Sequence, residues 1–157
     1  MIRRITGDDW RLLRSARLTA LSDAPYAFGS SHAAEAGLDE AEWRSRATRL
    51  VWFIALEEDA PIGVVGGTTV DRPLARILFA MWTHERARGT GVAQELVAAV
   101  RDWAKADGAE ELILWNADGN ERAQRFYQRL GFVRTGNRKQ LPSNPAIGED
   151  ELRLSLV

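Results

Sequence analysis

Apolar positions along the chain alternate between two periods, and the switches mark the elements. Leu12, Leu13, Ala16, Ala20 and Leu21 recur at three- and four-residue spacing. Residues 10–21 therefore predict a helix with one buried stripe, and Thr6 to Asp9 ahead of it supply helix-start side chains. Ile2 and Ile5 flank two arginines and predict a short edge strand. SDAPYAFGSS holds Pro25 and Gly29 and predicts a loop whose aromatics, Tyr26 and Phe28, have something to pack against. Residues 39–49, DEAEWRSRATR, predict a second helix begun by Asp39.

From residue 50 the pattern becomes β-branched and aromatic. LVWFIALEE and PIGVVGGTTV, separated by EDAP, predict a hairpin whose second strand is loosened by Gly66 and Gly67. ARILFAMWT after the turn DRP extends it to an antiparallel meander over 50–83. In VAQELVAAVRDWAKADG, Val92, Leu96, Ala99, Val100 and Trp103 share one helical face, and Gly108 is the stop. ELILW predicts a strand, and NERAQRFYQRLG a helix aligning Ala123, Phe126, Tyr127 and Leu130. FVRTG starts another strand, residues 138–149 predict a Pro-containing loop, and ELRLSLV alternates as a terminal strand. No repeat or linker divides the chain, so residues 1–157 predict one domain.

Composition narrows the functions available. With 45% apolar and 27% charged residues the chain can bury a core. Lys plus Arg number 21 against 22 Asp plus Glu, so the net charge of −1 carries no basic footprint for nucleic acid. The absence of cysteine excludes disulfides, thiolate metal sites and a covalent thioester on the enzyme. MIRRITGDDW lacks the apolar core of a signal peptide, and no run is long enough to span a bilayer, so a soluble cytoplasmic protein without a membrane partner is expected.

RARGTG, residues 86–91, stands between an apolar strand and a long helix. The two glycines serve either a plain strand-to-helix turn or a phosphate cradle: a helix N-terminus offers unpaired N–H groups and a positive dipole end, and glycine lets an anion approach. It is neither a dinucleotide fingerprint, lacking the third glycine, nor a Walker loop, lacking GK[ST]. Thirty residues on stands NERAQRFYQRLGF, where Asn120 is placed to cap a helix and Tyr127 lies about two turns inside it.

Together these segments resemble the GNAT superfamily of acyl-CoA-dependent N-acetyltransferases. RARGTG matches its [RQ]xxGx[GA] pyrophosphate signature, and N-x-x-A-x-x-F-Y-x-x-L-G-F matches the segment closing its cofactor site. The match is strongest over residues 75–136, and the element order of the whole chain agrees. The resemblance implies an α/β (α+β) fold: a mixed, mostly antiparallel central sheet of about six to seven strands flanked by about four helices. It implies acetyl-CoA as co-substrate, no metal, and direct transfer to a small-molecule or peptide amine, with a homodimer left open. Met81, Trp82 and Thr83 match the strand end that pairs with pantetheine and offers an oxyanion donor. Arg88, Gly89, Thr90, Gly91, Val92, Ala93 and Gln94 match the pyrophosphate loop and first helical turn. Asn120 matches a pantetheine contact, with a simple helix cap as the plainer role, and Tyr127 matches the general acid, with a core tyrosine as the plainer role. Another class of function is also open: a non-catalytic acyl-CoA-binding regulatory or interaction module.

Direct attack needs a neutral amine, and deprotonating an alkyl ammonium at pH 7 costs about 4.6 kcal/mol, from ~3.4 pKa units. Here the pattern departs from the family. Trp115 stands where some relatives carry a glutamate, and Arg76 and Ile77 occupy the other usual region. The remaining candidates are His84, Glu85, Asp118, His32, Glu57 and Glu58, and proton loss through water is the expectation. Trp82 and Trp115 are candidates for one wall of the acceptor pocket, with Tyr26 and Phe28 opposite, which favours an apolar or aromatic amine. The 138–149 segment is either a cover for this pocket or an exposed hairpin tip.

Overall fold

The computed structural model describes residues 1–25 and 30–157, and it builds one seven-stranded sheet. β1 (Ile2–Arg4) is followed by α1 (Trp10–Asp23), α2 (His32–Ala36) and α3 (Glu40–Arg49). The meander β2 (Val51–Glu57), β3 (Ala60–Thr69), β4 (Ala75–Thr83) comes next, then α4 (Val92–Ala106), β5 (Glu111–Ala117) and α5 (Glu121–Arg129). β6 (Val133–Leu141) and β7 (Asn144–Ser155) close the chain, and the sheet order is β1-β2-β3-β4-β5-β7-β6. All neighbours are antiparallel except β4 and β5. Among the described residues no helix is long and apolar enough to cross a membrane.

Helices cover both faces, so the central strands are apolar on both sides and read as near-continuous runs. Ile54 and Val64 pack with Trp43, Trp52 and Leu13 under α1 and α3, while Ala55 and Val65 pack with Leu96, Val100 and Tyr127 on the α4 and α5 side. Asp39 starts α3 as expected, its Oδ1 accepting the Glu42 N–H at 2.9 Å. Gly108, at φ +87°, ends α4 in the left-handed conformation that a side chain resists.

Three parts differ from the sequence-based expectation. α2 has no counterpart in the sequence-based reading: its five residues are too few to show a period, yet Ser31 caps it by accepting the Ala34 N–H at 3.2 Å. Gly66 and Gly67 do not loosen β3 but make room for rings. Gly66 pairs with Trp52 on one side and Phe79 on the other, and those rings meet edge to face at 5.2 Å above it. A Cβ on Gly66 would stand 2.7 Å from Phe79, and one on Gly67 2.9 Å from Trp103. The predicted 138–149 loop is a hairpin instead, since β6 runs to Leu141 and β7 begins at Asn144. Pro142 falls in the turn and Pro145 one residue into β7, so neither removes a central ladder bond.

One break in the sheet positions the site. β4 and β5 pair only through Ala75 with Glu111, Arg76 with Leu112 and Ile77 with Ile113. Beyond them β5 stays paired to β7, while β4 stays paired to β3 across a bulge between Phe79 and Trp82. Ala80 in that bulge has φ +56°, a conformation costly for a residue with a Cβ.

Candidate active site

The parted strands leave a cleft of about 510 Å³ between residues 78–83 of β4 and 114–117 of β5, closed at one end by the loop into α4 and by α5. A strand edge inside a sheet presents N–H and C=O groups that an extended polar ligand can pair with. Ala80, with its left-handed φ of +56°, lies on that edge and lines the cleft.

At the closed end, Glu85–Ala87 form a single 3-10 turn before Gly89 and Gly91 at φ +76° and +87°. A Cβ added to either would meet nothing within 4 Å, so protein crowding does not require glycine there. Their left-handed conformation turns the backbone, and the open space beside it admits a bulky anion to the α4 N-terminus. Arg88, Gly89, Gly91, Ala93 and Gln94 line the cleft. Thr90 and Val92 do not: the Thr90 hydroxyl donates back to the Ala87 carbonyl, and Val92 packs on the core beneath α4. Arg86 turns away to Glu57, 3.2 Å distant.

Met81, Trp82 and Thr83 all line the cleft from β4. Met81 leans on the α4 side, while Trp82 belongs to the opposite cluster and donates its Nε1–H to Asp23 at 2.8 Å. Trp115 lines the β5 wall half-buried, with the Lys139 ammonium 4.7 Å from its ring centre. Asn120 stands at the α5 N-cap, yet its side chain makes no capping hydrogen bond; its carbonyl accepts from Asn116 Nδ2 at 3.3 Å. Both asparagines line the cleft. Tyr127 lines the cleft, and its ring packs edge-on against Phe126 and Phe132 at 5.2 and 5.5 Å. Burial pushes its hydroxyl well above the usual tyrosine value. Tyr26 and Phe28, the proposed opposite wall, lie outside the described residues.

None of the acid–base candidates from the sequence lines the cleft. His84 spends its Nδ1 accepting the Arg86 N–H at 3.0 Å. Asp118 pairs with Arg138 at 2.5 Å, and the Arg138 hydrogen bond holds its carboxyl below the usual range. Glu57 pairs with Arg86, Glu58 sits exposed in a hairpin turn, Glu85 is exposed in the 3-10 turn, and His32 is exposed at the start of α2. The acid that does line the cleft is Glu149, on β7 opposite Ala117. Reading 138–149 as loop concealed it. The alternation in Glu149, Glu151 and Arg153, extended back from ELRLSLV, is the signal that places it on a strand face.

Residues 15–132 match the family described as Acetyltransferase (GNAT) family. Among curated relatives, N-alpha-acetyltransferase 30 of Schizosaccharomyces pombe is 37% identical over 89 residues, 52% of this chain and 57% of that protein. Aminoglycoside N(6')-acetyltransferase type 1 of Serratia marcescens is 41% identical over 58 residues, 37% of this chain and 40% of that protein. The chain spans 39% to 57% of the length of the curated relatives it matches. The same fold is seen in an acetyltransferase of the GNAT family from Streptococcus pneumoniae, with TM-score 0.81 and 20% identity over 99% of this chain and 98% of that one. It is seen also in yncA from Salmonella typhimurium, solved with its cofactor acetyl-CoA, with TM-score 0.74 and 15% identity over 100% of this chain and 94% of that one.

Proposed function

This chain belongs to the GNAT family of acetyltransferases, and on that premise we propose that it transfers an acetyl group from acetyl-CoA directly to a primary amine of a small molecule or peptide, without a covalent enzyme intermediate. The observation that carries the reading is the cleft itself: an unpaired β4 edge leads to a glycine cradle at the start of α4. The absence of cysteine accords with direct transfer. Relatives named for N-alpha and aminoglycoside acetylation support an amine acceptor, and the acetyl-CoA-bound neighbour supports the cofactor.

The residues present fit acetyl-CoA. Gly89 and Gly91 leave space for its pyrophosphate beside the free N–H groups of α4, and Arg88 adds a cation. Backbone groups of Met81 to Thr83 pair with an extended amide-bearing arm, and Asn120, its side chain uncommitted to the cap, contacts the same arm. When bound, acetyl-CoA supplies the activated thioester. A β4 backbone N–H at the bulge stabilises negative charge developing on the carbonyl oxygen. Tyr127, kept protonated by burial, gives its proton to the departing sulfur.

The test is release of free coenzyme A thiol from acetyl-CoA by the wild type and by Gly91→Glu, with tyramine and with a peptide bearing a free α-amino group. Amine-dependent turnover that the substitution abolishes is expected. Acetyl-CoA binding with no turnover across a wider amine panel would identify a regulatory module instead.

A further inference from the structure

Glu149 and Glu151 ride on the same face of β7, both buried, and the fold satisfies them very differently. Glu151 is fully partnered. It accepts from Arg72 at 2.9 Å, from the Thr135 hydroxyl at 2.9 Å and from Asn137 Nδ2 at 3.1 Å, the last two brought by a bulge in β6. Glu149 is 7% exposed, and its Oε2 is buried without a hydrogen-bond partner. Its nearest cation, Lys139 Nζ, stands 3.7 Å away and also covers the Trp115 ring. Burial raises the Glu149 carboxyl above the usual carboxylate value, and Lys139 opposes that rise only in part.

An under-satisfied buried carboxylate is destabilising, so one that faces a cleft calls for a ligand. Glu149 is the only acidic side chain among the described residues lining this cleft, whereas Arg88, Arg122 and Arg129 line it from the α4 loop and α5. The charges are therefore sorted: cations where coenzyme phosphates would lie, one carboxylate on the β5–β7 wall next to Trp115. The groups facing Glu149 are Lys139 from β6 and Ala117, its register partner on β5.

We propose that Glu149 is the acceptor-side carboxylate, binding the ammonium of a cationic primary amine and taking its proton before attack. This rests on the acetyl-transfer reading. Glu149 accepts one proton from the ammonium and passes it to solvent. The freed nitrogen lone pair forms the C–N bond to the acetyl carbon, and the C–S bond breaks with its pair on sulfur. The second proton lost by nitrogen balances the one that sulfur gains, with Tyr127 as the relay. The ligand class follows from the wall: a cationic amine on an apolar or aromatic body.

Glu149→Gln keeps the side-chain volume while removing an incompletely paired buried charge, so the fold is expected to persist. At pH 7 its kcat/KM for tyramine should fall by about 10² or more, with the thermal shift produced by acetyl-CoA unchanged. The deficit should shrink as pH rises toward the amine's own pKa, and Glu149→Asp should recover part of the rate. Lys139→Met, which removes the opposing cation, should move the acidic limb of the wild-type pH–rate profile to higher pH. Wild-type kcat/KM and pH profile in Glu149→Gln would overturn the assignment while leaving acetyl transfer standing. Loss of the acetyl-CoA shift in that variant would overturn it too, by making Glu149 a support of the cofactor cleft. A wild type that neither binds acetyl-CoA nor acetylates any amine would remove the parent reading, and this inference with it.

Discussion

Tyr127 is a core residue that also lines the cleft, and on the proposed mechanism it is the proton donor. Phe126 and Phe132 fix its ring from two sides, and the burial that they impose keeps the phenol protonated through the neutral range. A buried phenol of this kind is a weaker acid than a free one, but it stays protonated and so does not serve as a resident base. Tyr127→Phe retains the packing, so kcat should fall by roughly 10² while acetyl-CoA affinity and melting temperature change little; steady-state kinetics with calorimetry checks this. Tyr127 stood out in the sequence because NERAQRFYQRLGF resembles the family's segment, and local helical spacing places it two turns inside α5. Glu149 was not, because its burial depends on pairing with β5 residues more than thirty positions away, and local pattern carries no trace of that contact. The plainer cap role for Asn120 likewise gave way to a detail of side-chain orientation that spacing cannot encode.

At the scale of elements, periodic segments were read correctly and short or irregular ones were not. α1, α3, α4 and α5 each bury a stripe that repeats over two turns or more, whereas α2 is held by tertiary contacts instead of its own period. Arg17 of α1 grips Glu35 of α2 through Nε at 3.1 Å and Nη2 at 2.7 Å, and Arg46 of α3 adds a bond at 3.0 Å. Burial alone would raise the Glu35 carboxyl, but Arg17, with Ser30 and Arg46, holds it below its usual value. Because the folded value is depressed, this clip contributes its full stability above the unfolded pKa near 4.3, and loses it as pH falls through the folded one. Glu35→Gln should therefore cost about 3–5 kcal/mol at pH 7 and flatten the acid limb of stability, measurable by urea unfolding from pH 7 to 3. β3 offers a second test. Gly66→Ala pushes a methyl into the Phe79 ring where it meets Trp52, and a loss of about 1–3 kcal/mol is expected by the same method; an unchanged unfolding midpoint would mean that the ring pair moves aside freely.

For the whole molecule, the sheet is continuous on either side of one opening, β1 to β4 braced by α1 and α3, and β5 to β7 on the other. Element order made this architecture legible, but the bulge in β4 beside the opening was not, since it falls at an alanine rather than a glycine. A ligand that lies along the unpaired β4 edge joins the two halves, and the unfolded chain offers no such edge. Acetyl-CoA at 100 times its dissociation constant should therefore stabilise the fold by about 2.7 kcal/mol. For a chain of this size that is a rise of roughly 5–10 °C in melting temperature. Protection against hydrogen exchange should grow first at residues 78–83 and 114–117, where ladder bonds are missing, and at the α4 start. Gly91→Glu places a carboxylate and a Cβ at a φ of +87°, in the open space proposed for the pyrophosphate, and should erase both effects. A thermal shift of wild-type size in Gly91→Glu, or protection confined to distant surface helices, would place acetyl-CoA outside the cleft.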